Sequence, residues 1–205
     1  MITIHGMTDS GNCYKPRLLA ALLEIPFRHN EVSFLDGGTR DPAFLAKTPN
    51  GKVPLLELED GRTLPESNAI LCYLAEGSRF VPADRFARAQ MMSWLFFEQY
   101  SHEPHVAVRR SLVVYPQLAA SATPERMAAT LAGGRKALAV MEARLAVAHW
   151  LVDDAPTLAD IALYAYTHLA PEGGFDLAET PGIARWLARV AALPRHRPLD
   201  WTPAG

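Results

Sequence analysis

Four short segments of this 205-residue chain carry residue types that could do chemistry. The first is Ser10-Gly11-Asn12-Cys13-Tyr14-Lys15, set between a strand-like start and a leucine-rich helical stretch. A strand-to-helix junction points main-chain amides and the positive end of the helix dipole into a cleft, which suits an anionic ligand. Ser10 and Asn12 add side-chain donors there, or serve simply as helix caps. The second is Asn50-Gly51-Lys52-Val53-Pro54, with a proline where a strand begins. A cis peptide would free the Val53 main chain to pair with an extended ligand, whereas an ordinary trans proline marks a strand edge. The third is Glu66-Ser67-Asn68 ahead of a helix, where Glu66 could take the ammonium of an α-amino acid and Ser67 with nearby amides its carboxylate. The fourth is Arg40, either a carboxylate clamp or a solvated charge.

Other groups point away from metal and dithiol chemistry. His102-Glu103-Pro104-His105 separates its two histidines by a helix-breaking proline and offers no third ligand, so no metal is expected. Cys13 and Cys72 are the two cysteines and neither belongs to a Cys-x-x-Cys pair, which disfavours a disulfide scaffold, a zinc site and a dithiol oxidoreductase. With 20 basic against 22 acidic residues, neither nucleic acid nor a membrane surface is an expected partner. The beginning Met1-Ile2-Thr3-Ile4-His5 lacks the pattern of a signal peptide, so a cytoplasmic protein is expected.

The elements that must position these residues fall into two groups. Ile2 and Ile4 alternate as a strand, Leu18 to Leu23 form a helical face ending by Pro26, and Phe27 to Phe34 read as a second strand. Pro42 to Lys47 predicts a helical turn, Asp60-Gly61 a hairpin between Val53–Leu58 and Thr63-Leu64, and Ser67 to Ala75 a helix. This β-α-β, loop, hairpin, helix order predicts a small mixed sheet in an α/β domain over residues 1–79. After a linker at Phe80–Asp84, residues 85–205 read as an all-helical domain. Its long helical stretches run from Arg85 to about Tyr100 and from Pro124 to His149. Asp84, Thr123 and Thr180 stand as N-caps, and Thr157 with Asp160 as a capping box. Pro104 and Gly133-Gly134 are expected to kink or break the longest helices.

Taken in order, Ser10-Gly11-Asn12, Pro42-Ala43-Phe44-Leu45, Thr48 to Leu56, Glu66 to Ile70 with Tyr73-Leu74, and Thr157 to Ala162 resemble the cytosolic glutathione transferases along the whole chain. The resemblance implies a thioredoxin-like N-terminal domain with a four-stranded mixed sheet, followed by the family's helical domain. It further implies that Val53, ahead of a cis Pro54, pairs with the cysteinyl main chain of glutathione, that Glu66 and Ser67 hold the γ-glutamyl end, and that Lys52 or Arg40 meets the glycyl carboxylate. Ser10 matches the hydroxyl that contacts the glutathione sulfur in serine-type members; Tyr14 does not match the tyrosine of other members. Asn12 and Lys15 look like the Thr/Ser-x-Asn-x-x-Lys run of bacterial members that reduce disulfides. A free thiol has a pKa near ~8.5, so donors at Ser10 and the helix amides would favour the reactive anion.

Cys13 lies three residues beyond Ser10, and its participation is unsupported. For the acceptor pocket, Tyr100, His105 and Arg109 are the candidates. Glutathione is then a co-substrate, and the partner is a small electrophile or a disulfide; a homodimer follows by family analogy. Conjugation competes with disulfide reduction or peroxidase activity, and, in another class, with a glutathione-binding protein that has no turnover.

Overall fold

The computed structural model describes residues 1–203 and divides into two units. One comprises Met1–Ser78 together with the chain from Leu193; the other is Arg79–Ala192.

In the first unit β1 (Ile2–Gly6), α1 (Gly11–Leu22), β2 (Phe27–Glu31), α2 (Pro42–Lys47), β3 (Leu55–Glu57), β4 (Thr63–Pro65) and α3 (Ser67–Leu74) follow in the expected order. The four strands form one mixed sheet in the order β2-β1-β3-β4, with β1 parallel to β2 and the other neighbours antiparallel. Alternation places Ile4 and Leu56 on the same buried face, where they pack with Phe27, Ala20 of α1 and Ile70 of α3. β2 is shorter than the Phe27–Phe34 reading because its partner ends at Gly6. The Val32 amide donates to the Gly6 carbonyl at 3.2 Å, and Ser33 then closes a turn by accepting from Leu35 N through Oγ and from Thr39 N through its carbonyl. The Asp60-Gly61 hairpin forms as expected, with Gly61 at φ +83°.

The C-terminal segment, read from sequence as part of the helical domain, groups instead with the sheet. Trp201 meets Phe27 edge-on at 5.9 Å, and the buried Arg17 of α1 donates through Nη2 to both Thr8 O at 2.6 Å and Leu199 O at 2.7 Å. The Tyr14 hydroxyl donates to Arg197 O. α1 is consequently buried nearly all round, which is why its sequence carries so little amphipathic alternation.

The second unit contains α4 (Arg85–Phe97), α5 (Glu103–Val114), α6 (Pro124–Leu145), α7 (Leu158–Thr167) and α8 (Pro181–Ala191). A π-helical stretch, Glu98–His102, joins α4 to α5, and Pro104 stands at the head of α5 where its missing N–H costs little. All ten residues of α7 are buried. Its capping box forms: Thr157 Oγ1 accepts from Ala159 N, and Asp160 Oδ2 accepts from Thr157 N at 2.8 Å. The same carboxylate also accepts from Leu151 N and from the Trp186 indole of α8, so one buried side chain ties a loop and two helices together.

Two expectations fail here. Gly133-Gly134 do not break α6, which runs unbroken from Pro124 to Leu145. A Cβ at Gly133 would overlap the His105 ring, and one at Gly134 the Phe175 ring; close packing outweighs the propensity cost of about 1 kcal/mol per glycine. Thr180 precedes α8 without capping it, since its hydroxyl donates to Leu177 O. The carboxylate of Glu142 on α6 takes that place, accepting from Gly182 N and Ile183 N at 2.9 Å each.

Among the described residues no helix is long and apolar enough to cross a membrane.

Candidate functional site

The strand register decides which residues of the first unit converge. His5 near the end of β1 pairs with Leu55 at the start of β3, and Leu55 pairs with Pro65 at the end of β4. The chain that leaves β1 toward Ser10, the Val53-Pro54 step that enters β3 and the Glu66-Ser67 step that leaves β4 therefore lie at one end of the sheet. Two helices, α1 and α3, begin at that end and turn their unsatisfied amides to it.

At the head of α1, Ser10 is the N-cap, its Oγ accepting from Cys13 N at 3.4 Å. The capping role is thus realised, through a long bond that leaves the hydroxyl's proton for another acceptor. Asn12 and Ser67 are brought together by a residue that the sequence showed only as part of a motif. Lys15 is completely buried, and its Nζ donates to Asn12 Oδ1 at 2.8 Å and to Ser67 Oγ at 3.2 Å. Ser67 Oγ in turn lies 3.4 Å from Asn12 Oδ1 as a donor. The i,i+3 spacing of Asn12 and Lys15 was the available signal.

Val53-Pro54 is cis, with Pro54 buried and Val53 half-buried. Glu66, at the N-cap position of α3, holds φ +71°, a left-handed backbone that a residue with a Cβ seldom adopts. Its exposed side chain makes no capping bond. Arg40 is exposed in a 3₁₀ turn, Gly38–Arg40, and its guanidinium lies over Gly51, where a Cβ would come within 2.8 Å of Nη1. Gly51 has φ +58°, so both the turn and the arginine require a glycine. Arg40 therefore lies against the turn that presents Lys52, itself exposed.

Cys13 packs under this site against Gly6, completely buried, and burial pushes its thiol up to about 11 in spite of the hydrogen bond to Ser10. At neutral pH it is a protonated, inert thiol.

The three acceptor candidates of the second unit have different settings. Tyr100 is 87% exposed in the π-helical stretch. His105 packs its ring on Gly133. Arg109 donates to Gly173 O and Met127 O at 2.5 Å each, linking α5 to α6 and to the 3₁₀ turn after α7. The two histidines of His102-Glu103-Pro104-His105 diverge: His102 Nε2 meets Thr167 Oγ1 at 3.0 Å inside the unit. No group of three or more potential metal ligands occurs among the described residues.

The chain matches the glutathione S-transferase N-terminal domain over residues 9–76 and the glutathione S-transferase C-terminal domain over residues 105–194. A crystal structure of a glutathione S-transferase from Pseudomonas fluorescens is 50% identical, with a TM-score of 0.90, covering 97% of this chain and 98% of that one. Glutathione S-transferase GstB of Escherichia coli is 30% identical, with 99% of both chains covered. Disulfide-bond oxidoreductase YfcG of Escherichia coli is 27% identical over 89% of this chain and 87% of its own.

Proposed function

The chain belongs to the glutathione S-transferase family, and from that premise we propose that it is a serine-type glutathione transferase that binds the tripeptide at the helix-bearing end of its sheet. The observation that carries this reading is the convergence there of Ser10, Val53 and Ser67, with Asn12 and Ser67 joined through Lys15.

In this reading glutathione lies extended across the sheet end. Val53 pairs with its cysteinyl main chain beside Pro54. Ser67 and the first amides of α3 receive the γ-glutamyl carboxylate, and the uncommitted carboxylate of Glu66 receives its ammonium. Arg40 and Lys52, side by side over the Gly51 turn, meet the glycyl carboxylate as two point charges. The sulfur then lies before Ser10 and the head of α1, and the Ser10 proton with the Asn12 amide hydrogens stabilises the thiolate. The thiol proton passes to water. The sulfur lone pair forms a bond to the electrophilic carbon, and the electrons of the broken bond leave with the displaced group or settle on the acceptor. Of the acceptor candidates Tyr100 is the one with an uncovered ring. The working unit is a cytoplasmic homodimer.

Disulfide reduction is the second reading, favoured by the Ser10-x-Asn12-x-x-Lys15 run and by the likeness to a disulfide-bond oxidoreductase. There the same thiolate attacks a disulfide sulfur, and a second glutathione completes the exchange. The inert Cys13 argues against a redox role for the protein's own thiol.

The test is the ultraviolet difference spectrum of bound glutathione across pH for wild type and Ser10→Ala. A thiolate band at neutral pH that moves to higher pH in the variant supports the reading. So does a fall of roughly 10²-fold in kcat with little change in glutathione affinity. Absence of glutathione binding by the wild type overturns it. Turnover of a small electrophile against a glutathione mixed disulfide separates the two chemistries.

A further inference from the structure

We infer that Lys15 is a positioning residue that sets Asn12 and Ser67 as hydrogen-bond donors toward the tripeptide and so couples the sulfur end of the site to the γ-glutamyl end; this rests on the glutathione-binding reading above. Lys15 is 0% exposed although it carries a side chain that proteins seldom bury. Its ammonium reaches Asn12 at the head of α1 and Ser67 at the head of α3, 52 positions further along the chain. The two oxygens that receive these bonds belong to neutral side chains, and the ammonium polarises both.

The chemistry of the two acceptors then follows. An asparagine amide has an acceptor side and a donor side, and rotation by half a turn exchanges them. With Oδ1 held on Lys15, the two Nδ2 hydrogens lie on the side opposite the ammonium. Released from Lys15, the amide could turn its oxygen to the sulfur, and that lone pair would repel a thiolate. Ser67 Oγ, with a lone pair engaged by a cation, becomes a stronger O–H donor; it gives that one proton to Asn12 Oδ1 over a long 3.4 Å, and a bound carboxylate would take the proton over. One buried cation thus sets the polarity of two side chains that face different parts of the same ligand.

Wild type, Lys15→Met and Ser67→Ala are titrated with reduced glutathione, and the ultraviolet thiolate band is followed against pH, alongside the thermal midpoint of each protein. Lys15→Met should raise the midpoint of the bound thiol by about one pH unit and weaken binding about tenfold, because a charge-assisted contact is lost at each end. Ser67→Ala should move the midpoint in the same direction by less, and the double variant no further than Lys15→Met alone. A purely structural lysine would lower the thermal midpoint and leave the bound thiol's titration unmoved, which overturns the inference. Should Lys15→Met fail to fold, an unmoved titration in Ser67→Ala overturns it equally. Wild-type protein that does not bind glutathione overturns the functional reading itself, and this role with it.

Discussion

Lys15 in the sheet unit and Asp160 in the helical unit are both completely buried in the first turns of helices, and they keep different company. In the helical unit Asp160 accepts from the main chain at Leu151 and Thr157 and from the Trp186 indole. Burial raises its carboxyl above the usual range against the pull of those hydrogen bonds. In the sheet unit Lys15 donates to two side chains at the N-termini of α1 and α3. Main-chain and core partners mark a group that holds the fold. Side-chain partners at element ends mark one that, in the reading proposed above, holds other functional groups. Burial alone separates nothing.

The contrast yields expectations of graded size. Asp160→Ala should cost about 3–5 kcal/mol, because it strands two buried amides and an indole N–H, and it should appear as a large fall in the thermal midpoint of the helical unit. Gly134→Ala should cost roughly 1–3 kcal/mol despite the better helix propensity of alanine, since the new methyl meets the Phe175 ring; urea unfolding checks it. A Gly134→Ala protein as stable as wild type would mean that Phe175 can move aside.

Acid should weaken the sheet unit in particular. Burial lowers the His29 imidazole below its usual 6.5, so the unfolded chain takes up that proton first and stability falls as pH drops below that value. Glu31 is opposed by burial, but hydrogen bonds from His29 and Thr8 hold it below its usual 4.5, and its contribution is lost as pH falls further, through the folded value. Denaturant midpoints compared at pH 7 and pH 5 should show the His29 loss, with a larger loss in Glu31→Gln, which removes the carboxylate that helps the folded imidazole keep its proton. The smallest effect is a silence: in native protein at pH 8, mass spectrometry after alkylation should find Cys13 unmodified and the half-buried Cys72 slowly labelled.

What the sequence revealed was what local chemistry determines. The Asp60-Gly61 hairpin, the Thr157–Asp160 capping box, the Asp84 and Thr123 caps and the order of elements all depend on residues a few positions apart. Ser10, Val53 and Ser67 could be placed at one sheet end because they flank those elements. The Lys15 bond to Ser67 spans too great a separation for any local pattern to show it. The setting of Arg109 was hidden for the same reason: its carbonyl partners on α6 and in the turn before Phe175 appear only after folding. The glycine pair of α6 failed in the opposite sense, since a local propensity was overridden by a neighbour that needed the space.

The clasp of the C-terminal segment on α1 and β2 bears on how the molecule could be divided. A fragment stopping at residue 79 would keep every strand and every glutathione-facing residue proposed above, yet leave Phe27 without the Trp201 ring and Arg17 without one of its two carbonyls. The sheet unit is discontinuous along the chain, closed by a segment that arrives only after the helical unit has been made. A ribosome synthesising this protein releases the last piece of the first unit only after the whole helical unit has emerged.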